Sequence, residues 1–212
     1  MAAMEKLIQA IRDYDVDGSK TWAAKTLAEG ADPVKTLESV SGVMKEIGDL
    51  FGAGELWLPD LIGAADAAMA SLAVIEDAIL KSGKQAKRLG TVVIGTVFGD
   101  IHSIGKTMVG ALLTANGFKV VDIGTNVPNE QFVKAIKENN ANILAMSAIL
   151  TTTAPEQLKV IAALKEAGLR DKVKIMVGGA AITTEFARSI GADGYRATAP
   201  EAVELAKTFV GA

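Results

Sequence analysis

The chain has 212 residues, half of them hydrophobic, with 22 basic and 25 acidic side chains and a formal charge of −3. This balance supplies no positive field for a phosphate backbone, and the absence of cysteine excludes disulfides, cysteine-ligated iron–sulfur clusters and thiolate nucleophiles. No uninterrupted apolar run approaches a membrane-spanning length and no secretory signal opens the chain, so we expect a cytoplasmic globular protein without a nucleic-acid or membrane partner.

The first part of the chain has helical periodicity, with breaks marked by glycine, aspartate or proline. A first helix begins near Met4, an Asp17-Gly18 turn precedes a second, and apolar residues at helical spacing predict a third over 33–51 and a fourth over 57–80. Four helices joined by short turns predict a small bundle, which we assign to residues 1–83.

The second part has a different periodicity, because short β-rich runs alternate with helical stretches. The predicted strands are 91–97, 119–123, 143–147, 173–177 and 194–196, and the predicted helices are 104–116, 129–138, 155–167, 183–190 and 200–209. Five strand–helix units predict an α/β domain over 90–212, with a parallel sheet covered by helices on both faces. A basic, glycine-containing stretch over 81–90 separates the two parts and is a candidate hinge.

The loop after the first predicted strand is the most informative segment. His102 is the only histidine of the chain, and Asp100 lies two residues before it. A single histidine usually lies at the surface, or in the core with its hydrogen-bonding groups satisfied. A neutral imidazole is also a good transition-metal ligand, and a carboxylate that accepts its second ring N–H fixes the tautomer. A metal held by this protein alone lacks further histidine or cysteine ligands, whereas a macrocycle brings its own nitrogens.

Three motifs follow the first, third and fourth predicted strands, whose carboxyl ends share one edge of the sheet. They are Asp100-x-His102-x-x-Gly105, Ser147-Ala148-Ile149 and Gly178-Gly179. Taken singly, the serine is better explained as an ordinary strand-end hydroxyl and the glycine pair as an ordinary turn. Taken together, they resemble the motifs of the methyltransferase cognate corrinoid proteins and of the cobalamin-binding domains of methionine synthase. Ile149 departs from the family's usual leucine, although Leu150 follows it.

The resemblance implies a flavodoxin-like fold for the second part and cobalamin or a related corrinoid, with its cobalt, as the cofactor. His102 would replace the nucleotide base of the cofactor as the axial cobalt ligand. Asp100 would hydrogen-bond the imidazole, which makes Asp100 and His102 the candidate catalytic residues. The apolar wall beside them would tolerate Ile149 in place of leucine.

The resemblance also implies a channel beside the sheet for the displaced nucleotide tail. Ser147 would bond the base of the tail, and the glycines at the other two motifs would leave room for it. The candidate cofactor-binding residues are Asp100, His102, Ser103, Ile104, Gly105, Ser147, Ile149, Thr151, Thr153, Gly178, Gly179 and Trp57. Thr153 extends the Asp100–His102 hydrogen-bond chain or belongs to a solvated loop. Asn126-Val127-Pro128 is either a loop near the corrin or a plain turn.

The helical part resembles the bundle that covers the reactive upper face of the cofactor in this family. The stretch 51–61 is similar to the family's capping segment, and its candidate cap residues are Trp57, Leu58 and Leu61. Apolar side chains of this kind also fill bundle cores. We expect Trp57 to belong to the cap because its large ring lies at a helix start, and for the two leucines both interpretations stay open.

The resemblance implies a methyl carrier. One donor-specific methyltransferase would load a methyl group onto Co(I), and a second would pass it to a folate or thiol acceptor. A reductive activating protein is a further expected partner. His102 would bind and release cobalt during the cycle, with Asp100 coupling this movement to proton uptake. Methylamines, quaternary amines, methanol and aryl methyl ethers all remain possible donors, because the partner recognises the donor.

Two other classes of function are considered. The first is a cobalamin-dependent sensor or regulatory binding module, which would need a DNA-binding or signalling domain that the sequence does not show. The second is a receiver-type or flavodoxin-like domain without cobalamin. A receiver would need an acidic pocket with a phosphorylatable aspartate, which the motif around Asp100 and His102 does not supply.

Overall fold

The computed structural model describes residues 2–82 and 88–212, so positions 83–87 of the candidate hinge lie outside the described residues. The described residues form two compact units, a bundle of four helices and an α/β sheet domain. The helices are α1 (Ala3–Arg12), α2 (Val16–Ala28), α3 (Pro33–Gly52), α4 (Leu58–Ser82), α5 (Ile104–Ala115), α6 (Asn129–Asn139), α7 (Ala154–Glu166), α8 (Thr184–Ser189) and α9 (Ala199–Val210). The strands are β1 (Thr91–Thr96), β2 (Lys119–Asp122), β3 (Ile143–Ser147), β4 (Lys174–Gly178) and β5 (Gly194–Tyr195).

The second helix begins earlier than the sequence predicts. The Asp15 side chain caps α2 by accepting the N–H of Gly18 at 2.8 Å. A Cβ atom on Gly18 would lie 1.9 Å from Asp15 Oδ2, so the glycine is what lets the carboxylate reach this N–H. The prediction of a chain turn at Asp17-Gly18 is therefore wrong, because both residues already belong to α2.

The last helix of the bundle, α4, is long and apolar enough over Leu58–Ile79 to cross a membrane by length and composition. It packs along α2 and α3 within the bundle. Among its described side chains, half of the fully buried ones are alanine, whose small size lets neighbouring helices approach closely: Ala64, Ala67 and Ala68. These contacts identify α4 as a core helix of the bundle.

The second unit is a five-stranded sheet with strand order β2-β1-β3-β4-β5, and all neighbouring strands are parallel. The predicted flavodoxin-like fold is therefore confirmed. Strand β1 lies between β2 and β3, so the chain leaves the first strand toward one edge of the sheet and later continues toward the other. Such a switch point opens a crevice at the carboxyl ends of the strands, where the loops after β1 and β3 lie.

The register of the strands aligns the motifs. Thr96 lies opposite Ser147, and Ser147 lies opposite Gly178. Because side chains alternate between faces, residues two positions earlier on each strand share the face of this row. They are Ile94, Ala145 and Met176. This face therefore presents mostly small side chains at the carboxyl end of the sheet.

The opposite face is filled by the main core of the domain. Large apolar residues of the strands pack there against residues of helices α6 and α7. The strand residues include Val93, Leu144, Met146, Ile175 and Val177, and the helix residues include Phe132, Ile161 and Leu164. Burial of these side chains stabilises the sheet and gives it a rigid edge. The motif residues are thus placed by the strands and not by the loops alone.

Candidate cofactor-binding site

The loop between β1 and α5 is braced by the loop that follows β2. Gly99 has φ +78°, a left-handed conformation that favours glycine, and its N–H donates to Asn126 Oδ1 at 2.8 Å. Asn126, itself at φ +54°, donates its backbone N–H to the carbonyl of Asp100 at 2.8 Å. The loop that carries Asp100 and His102 is therefore fixed from outside by Asn126.

The Asp100 carboxylate is buried and accepts four hydrogen bonds. Oδ1 accepts from the backbone N–H of His102 at 3.1 Å and from His102 Nδ1 at 2.8 Å. Oδ2 accepts from the backbone N–H of Ile149 and from Thr153 Oγ1, both at 2.8 Å. The carboxylate therefore joins the first motif to the segment after β3. Of the two interpretations of Thr153 that the sequence left open, the structure shows the hydrogen bond to Asp100.

These hydrogen bonds determine the charge of Asp100. Burial raises the pKa of this carboxyl, but the hydrogen bonds, those from Ile149 and His102 above all, outweigh burial and lower the pKa to about 2 from the ordinary 3.8. Asp100 is therefore a carboxylate at neutral pH. A carboxylate only accepts hydrogen bonds, so Nδ1 of His102 carries a proton, and the lone pair of the neutral imidazole is then on Nε2.

The His102 side chain is half exposed, with 51% of its surface accessible, whereas the Asp100 side chain is fully buried. Thr96 Oγ1 donates to the backbone carbonyl of His102 at 2.9 Å, which ties the residue to the end of β1. Among the described residues, no group of three or more His, Cys, Asp or Glu side chains is arranged to hold a metal ion. His102 can therefore provide one ligand to a metal that arrives with others.

A cleft of about 350 Å³ opens on the small-residue face of the sheet, between the strands and helices α5 and α9. Four predicted residues line it: Gly105, Ser147, Gly178 and Gly179. Most of the remaining lining is apolar, including Ile94, Met108, Val109, Met176 and Val177. The cleft is thus an apolar slot with a hydroxyl at its edge, adjoining the His102 loop.

The glycines of the motifs have different tasks. A Cβ atom on Gly178 or Gly105 would meet nothing within 4 Å, so both positions leave open space beside the cleft. A Cβ atom on Gly179 would lie 1.9 Å from the Ala148 carbonyl oxygen, and Gly179 has φ +118°. The fold itself therefore requires glycine at position 179, which also lines the cleft, whereas the open space lies beside Gly178.

Exposed apolar side chains lie on the loop that carries the half-exposed imidazole, at the start of α5 and on the segment after β3. Ile101 and Ile104 are 76% and 69% exposed, and Phe98, Ile149 and Leu150 are also exposed. Isolated exposed apolar residues are common, but several at the same edge of a sheet mark a binding surface. This arrangement suits the flat, largely apolar face of a macrocycle.

The other predicted residues have simpler surroundings. Ser103 is exposed, and its carbonyl accepts the N–H of Thr107 in the first turn of α5. Thr151 is exposed in the loop before α7. In the bundle, Trp57 is 78% exposed whereas Leu61 is fully buried. Burial favours a packing role for Leu61, whereas Trp57 presents an exposed ring.

Sequence reasoning missed two polar residues at this edge of the sheet. Thr96 holds the His102 carbonyl, and its position opposite Ser147 becomes visible only once the register of β1 and β3 is known. Lys106 is buried beside the cleft, where its ammonium group pairs with the carboxylate of Asp122. A charged residue within the apolar face of α5 was the signal that could have identified it.

The residues present fit a corrinoid. A metal that already has four macrocyclic nitrogen ligands can take one further ligand from the protein, and the imidazole offers one lone pair. The open space over Gly105 and Gly178 leads into a cleft large enough for an aromatic base, and Ser147 provides a polar group there. The exposed apolar side chains around His102 provide a surface for the ring.

Comparisons with known proteins agree with this chemistry. Residues 3–76 and residues 90–206 match two family models, each described as a B12 binding domain. The chain is 45% identical to the trimethylamine corrinoid protein of Methanosarcina barkeri, over 98% of each chain. It is 44% identical to dimethylamine corrinoid protein 2 of Methanosarcina mazei, over 99% of this chain and 100% of the relative.

A solved structure is similar to this chain over nearly its whole length. The methanol:cobalamin methyltransferase complex MtaBC from Methanosarcina barkeri matches with a TM-score of 0.83 and 28% identity, over 99% of this chain and 80% of that chain. The match includes both the helical part and the sheet part. With its B12 binding domains and its whole-length relatives, the chain belongs to the corrinoid proteins that act with methyltransferases, and its cofactor is a corrinoid.

Proposed function

We propose that this protein is a methyl carrier that works between two enzymes. A donor-specific methyltransferase loads the methyl group, and a second methyltransferase delivers it to a folate or thiol acceptor. When bound, the corrinoid supplies a cobalt ion able to accept and release a methyl group. The observation that supports the proposal most is the hydrogen bond from His102 Nδ1 to the buried, ionised Asp100, which leaves Nε2 available as a metal ligand.

His102 and Asp100 are proposed to work as one unit that binds cobalt and holds a proton. With Nδ1–H donated to Asp100, the imidazole is a stronger base at Nε2 and is fixed in one tautomer. When Nε2 does not bind metal it can take a proton, and the Asp100 carboxylate stabilises the resulting imidazolium. Thr153 and the backbone of Ile149 hold that carboxylate in place and keep it ionised.

The cleft is proposed to hold the nucleotide tail of the corrinoid. Ser147 offers a hydroxyl to the base, and Gly178 and Gly105 leave the space that a side chain would occupy. The apolar lining contributes by removing the flat faces of the base from water. Ile104 and Ile149, both exposed beside His102, are assigned to contact with the ring.

The bundle is proposed to provide the cap over the reactive face, with Trp57 as its principal ring. An indole that is 78% exposed at a helix start is available for contact with a ligand. The cap excludes water and side reactions while the carrier travels between enzymes. It must move aside when a partner docks, and the stretch over 81–90 is the proposed hinge between residues 1–83 and 90–212.

We propose that the partner enzyme, and not this chain, determines which methyl donor is used. Relatives named for trimethylamine and for dimethylamine are 45% and 44% identical to this chain, so identity does not separate the donors. We infer a methylated amine, with methanol as the alternative that the MtaBC likeness suggests. A reductive activating protein and a location in the cytoplasm complete the proposal.

The proposal is tested by reconstituting transfer. The chain loaded with hydroxocobalamin and reduced is used as bait to isolate its methyltransferase, and the pair is then supplied with trimethylamine, dimethylamine, monomethylamine or methanol. We expect methylation of the bound corrinoid, read from its absorption spectrum, only with the partner and with one donor class. Rapid demethylation of a donor by the purified chain alone would contradict the carrier role.

A further inference from the structure

The start of α4 has an unusual residue where a helix cap is expected. Trp57 directly precedes the helix, and its carbonyl accepts the N–H groups of Asp60 and Leu61 at 3.1 and 3.2 Å. Residues at this position are usually Ser, Thr, Asp or Asn, whose side chains bond the free N–H groups of the first turn. Trp57 cannot do this, because its indole offers one N–H donor and no acceptor.

Asp60 compensates for the missing cap. Its Oδ2 accepts the backbone N–H of Trp57 at 2.8 Å, the half of a capping box that the third helical residue provides. Its other oxygen, Oδ1, accepts the hydroxyl of Tyr14 at 3.1 Å. One carboxylate therefore ties the backbone of Trp57 to a residue that lies 43 positions earlier in the sequence, in the turn between α1 and α2.

Tyr14 is itself held in an uncommon conformation. Its φ of +61° lies in the left-handed region, which is unfavourable for a residue with a large side chain. Its ring lies directly against α4, because a Cβ atom on Gly63 would be 2.9 Å from Tyr14 Cβ and Cγ. Burial and the neighbouring Asp60 carboxylate raise the pKa of the Tyr14 phenol, so it keeps its proton as a donor.

We propose that Asp60 and Tyr14 are positioning residues for Trp57, fixing the backbone from which the exposed indole ring reaches the reactive face of the corrinoid. This inference rests on the proposed cap role of Trp57. Two hydrogen bonds through one carboxylate, a strained turn and a glycine that admits the Tyr14 ring all converge on the same helix start. A ring carried on a fixed backbone loses less conformational entropy on binding than a ring on a mobile segment.

The first experiment measures the mobility of the ring in the corrinoid-free, full-length chain. The chain has two tryptophans, so Trp22→Phe leaves Trp57 as the only indole. Time-resolved fluorescence anisotropy then reports its local motion on the picosecond to nanosecond scale. In that background we expect Asp60→Ala to raise the amplitude of fast motion about twofold and Tyr14→Phe to raise it less, because only one of the two hydrogen bonds is lost.

Two controls separate positioning from general loosening of the bundle. Asp60→Asn keeps an acceptor for the Trp57 N–H and a polar partner for Tyr14, so it is expected to restore the parental anisotropy. Glu46→Gln weakens the exposed ion pair between Arg12 and Glu46, 2.7 Å long, elsewhere on the same bundle, and is expected to leave the anisotropy unchanged. Urea unfolding confirms that each variant is folded.

The second experiment tests contact with the cofactor without using activity. Hydroxyl-radical oxidation of Trp57, quantified by mass spectrometry, is compared with and without bound hydroxocobalamin. We expect protection in the parent and weaker protection in Asp60→Ala. Unchanged anisotropy in both Asp60→Ala and Tyr14→Phe would refute the positioning role itself. Equal oxidation of Trp57 in the free and loaded parent would refute the cap role of Trp57, and positioning by Asp60 and Tyr14 would then have no purpose at the cofactor.

Discussion

Replacement of Asp100 by asparagine tests the hydrogen-bond chain that holds His102. In the native chain both carboxylate oxygens face donors only, and one donor on each oxygen is a backbone N–H. The amide group of Asp100→Asn must therefore turn its NH₂ toward a fixed N–H, either that of His102 or that of Ile149. If it faces His102, the imidazole also has to shift its proton to Nε2, which removes the lone pair for cobalt.

The size of the effect follows from the pKa of Asp100. A fall from 3.8 to about 2 corresponds to about 2 kcal/mol of folding free energy at neutral pH, since one pKa unit is about 1.4 kcal/mol. Because the folded pKa is the lower one, this stabilisation is complete well above 3.8 and is lost as pH falls toward 2. We expect Asp100→Asn to lose about 2 to 3 kcal/mol at pH 7, including the unpaired backbone N–H.

The assay is urea unfolding of the corrinoid-free protein between pH 7 and pH 3. The difference in unfolding free energy between the native chain and Asp100→Asn should be constant down to about pH 5. It should then shrink, because the Asp100 carboxyl takes up a proton in the unfolded state before it does so in the folded state. A difference that stays constant from pH 5 to pH 3 would refute the depressed pKa. A variant as stable as the native chain at pH 7 would refute the hydrogen-bond chain.

Three further substitutions address individual contacts. Thr153→Val removes one donor from Asp100 and should lower the unfolding free energy by about 1.5 kcal/mol in urea, whereas the exposed neighbour Thr152→Val should change it little. Gly178→Leu should weaken cobalamin binding at least about tenfold by filling the cleft, while tail-less cobinamide binds normally; equal losses would argue against a tail site. Gly179→Ala should destabilise the fold by more than about 2 kcal/mol by thermal or urea unfolding, and an unchanged stability would refute the close approach of the Ala148 carbonyl.

The sequence was sufficient for the order of elements and for the convergence of the motifs. Alternating strands and helices force a parallel sheet, and parallel strands bring Asp100, Ser147 and Gly178 to one edge however far apart they lie in the chain. The short spacing from Asp100 to His102 likewise made their hydrogen bond an expected local feature. Corrinoid binding followed from the resemblance of the motifs, and the comparisons confirm it.

Contacts between distant segments could not be predicted in this way. The link from Asp60 to Tyr14 depends on how α4 crosses the turn between α1 and α2, which periodicity does not specify. The role of Gly179 depends on its distance from the Ala148 carbonyl, so sequence alone gave both paired glycines the same task. The early start of α2 was missed because several aspartates precede it, and only geometry shows which one caps the helix.

The most direct test of the central claim is the identity of the nitrogen below cobalt. Because His102 is the only histidine, growth with nitrogen-15 histidine labels a single imidazole in the protein. The Co(II) form of the loaded protein is then examined by electron paramagnetic resonance, where an axial nitrogen splits the cobalt lines. We predict that the triplet given by nitrogen-14 becomes a doublet in the labelled protein. A triplet that persists would show that the cofactor's own base still binds cobalt and would contradict the role of His102.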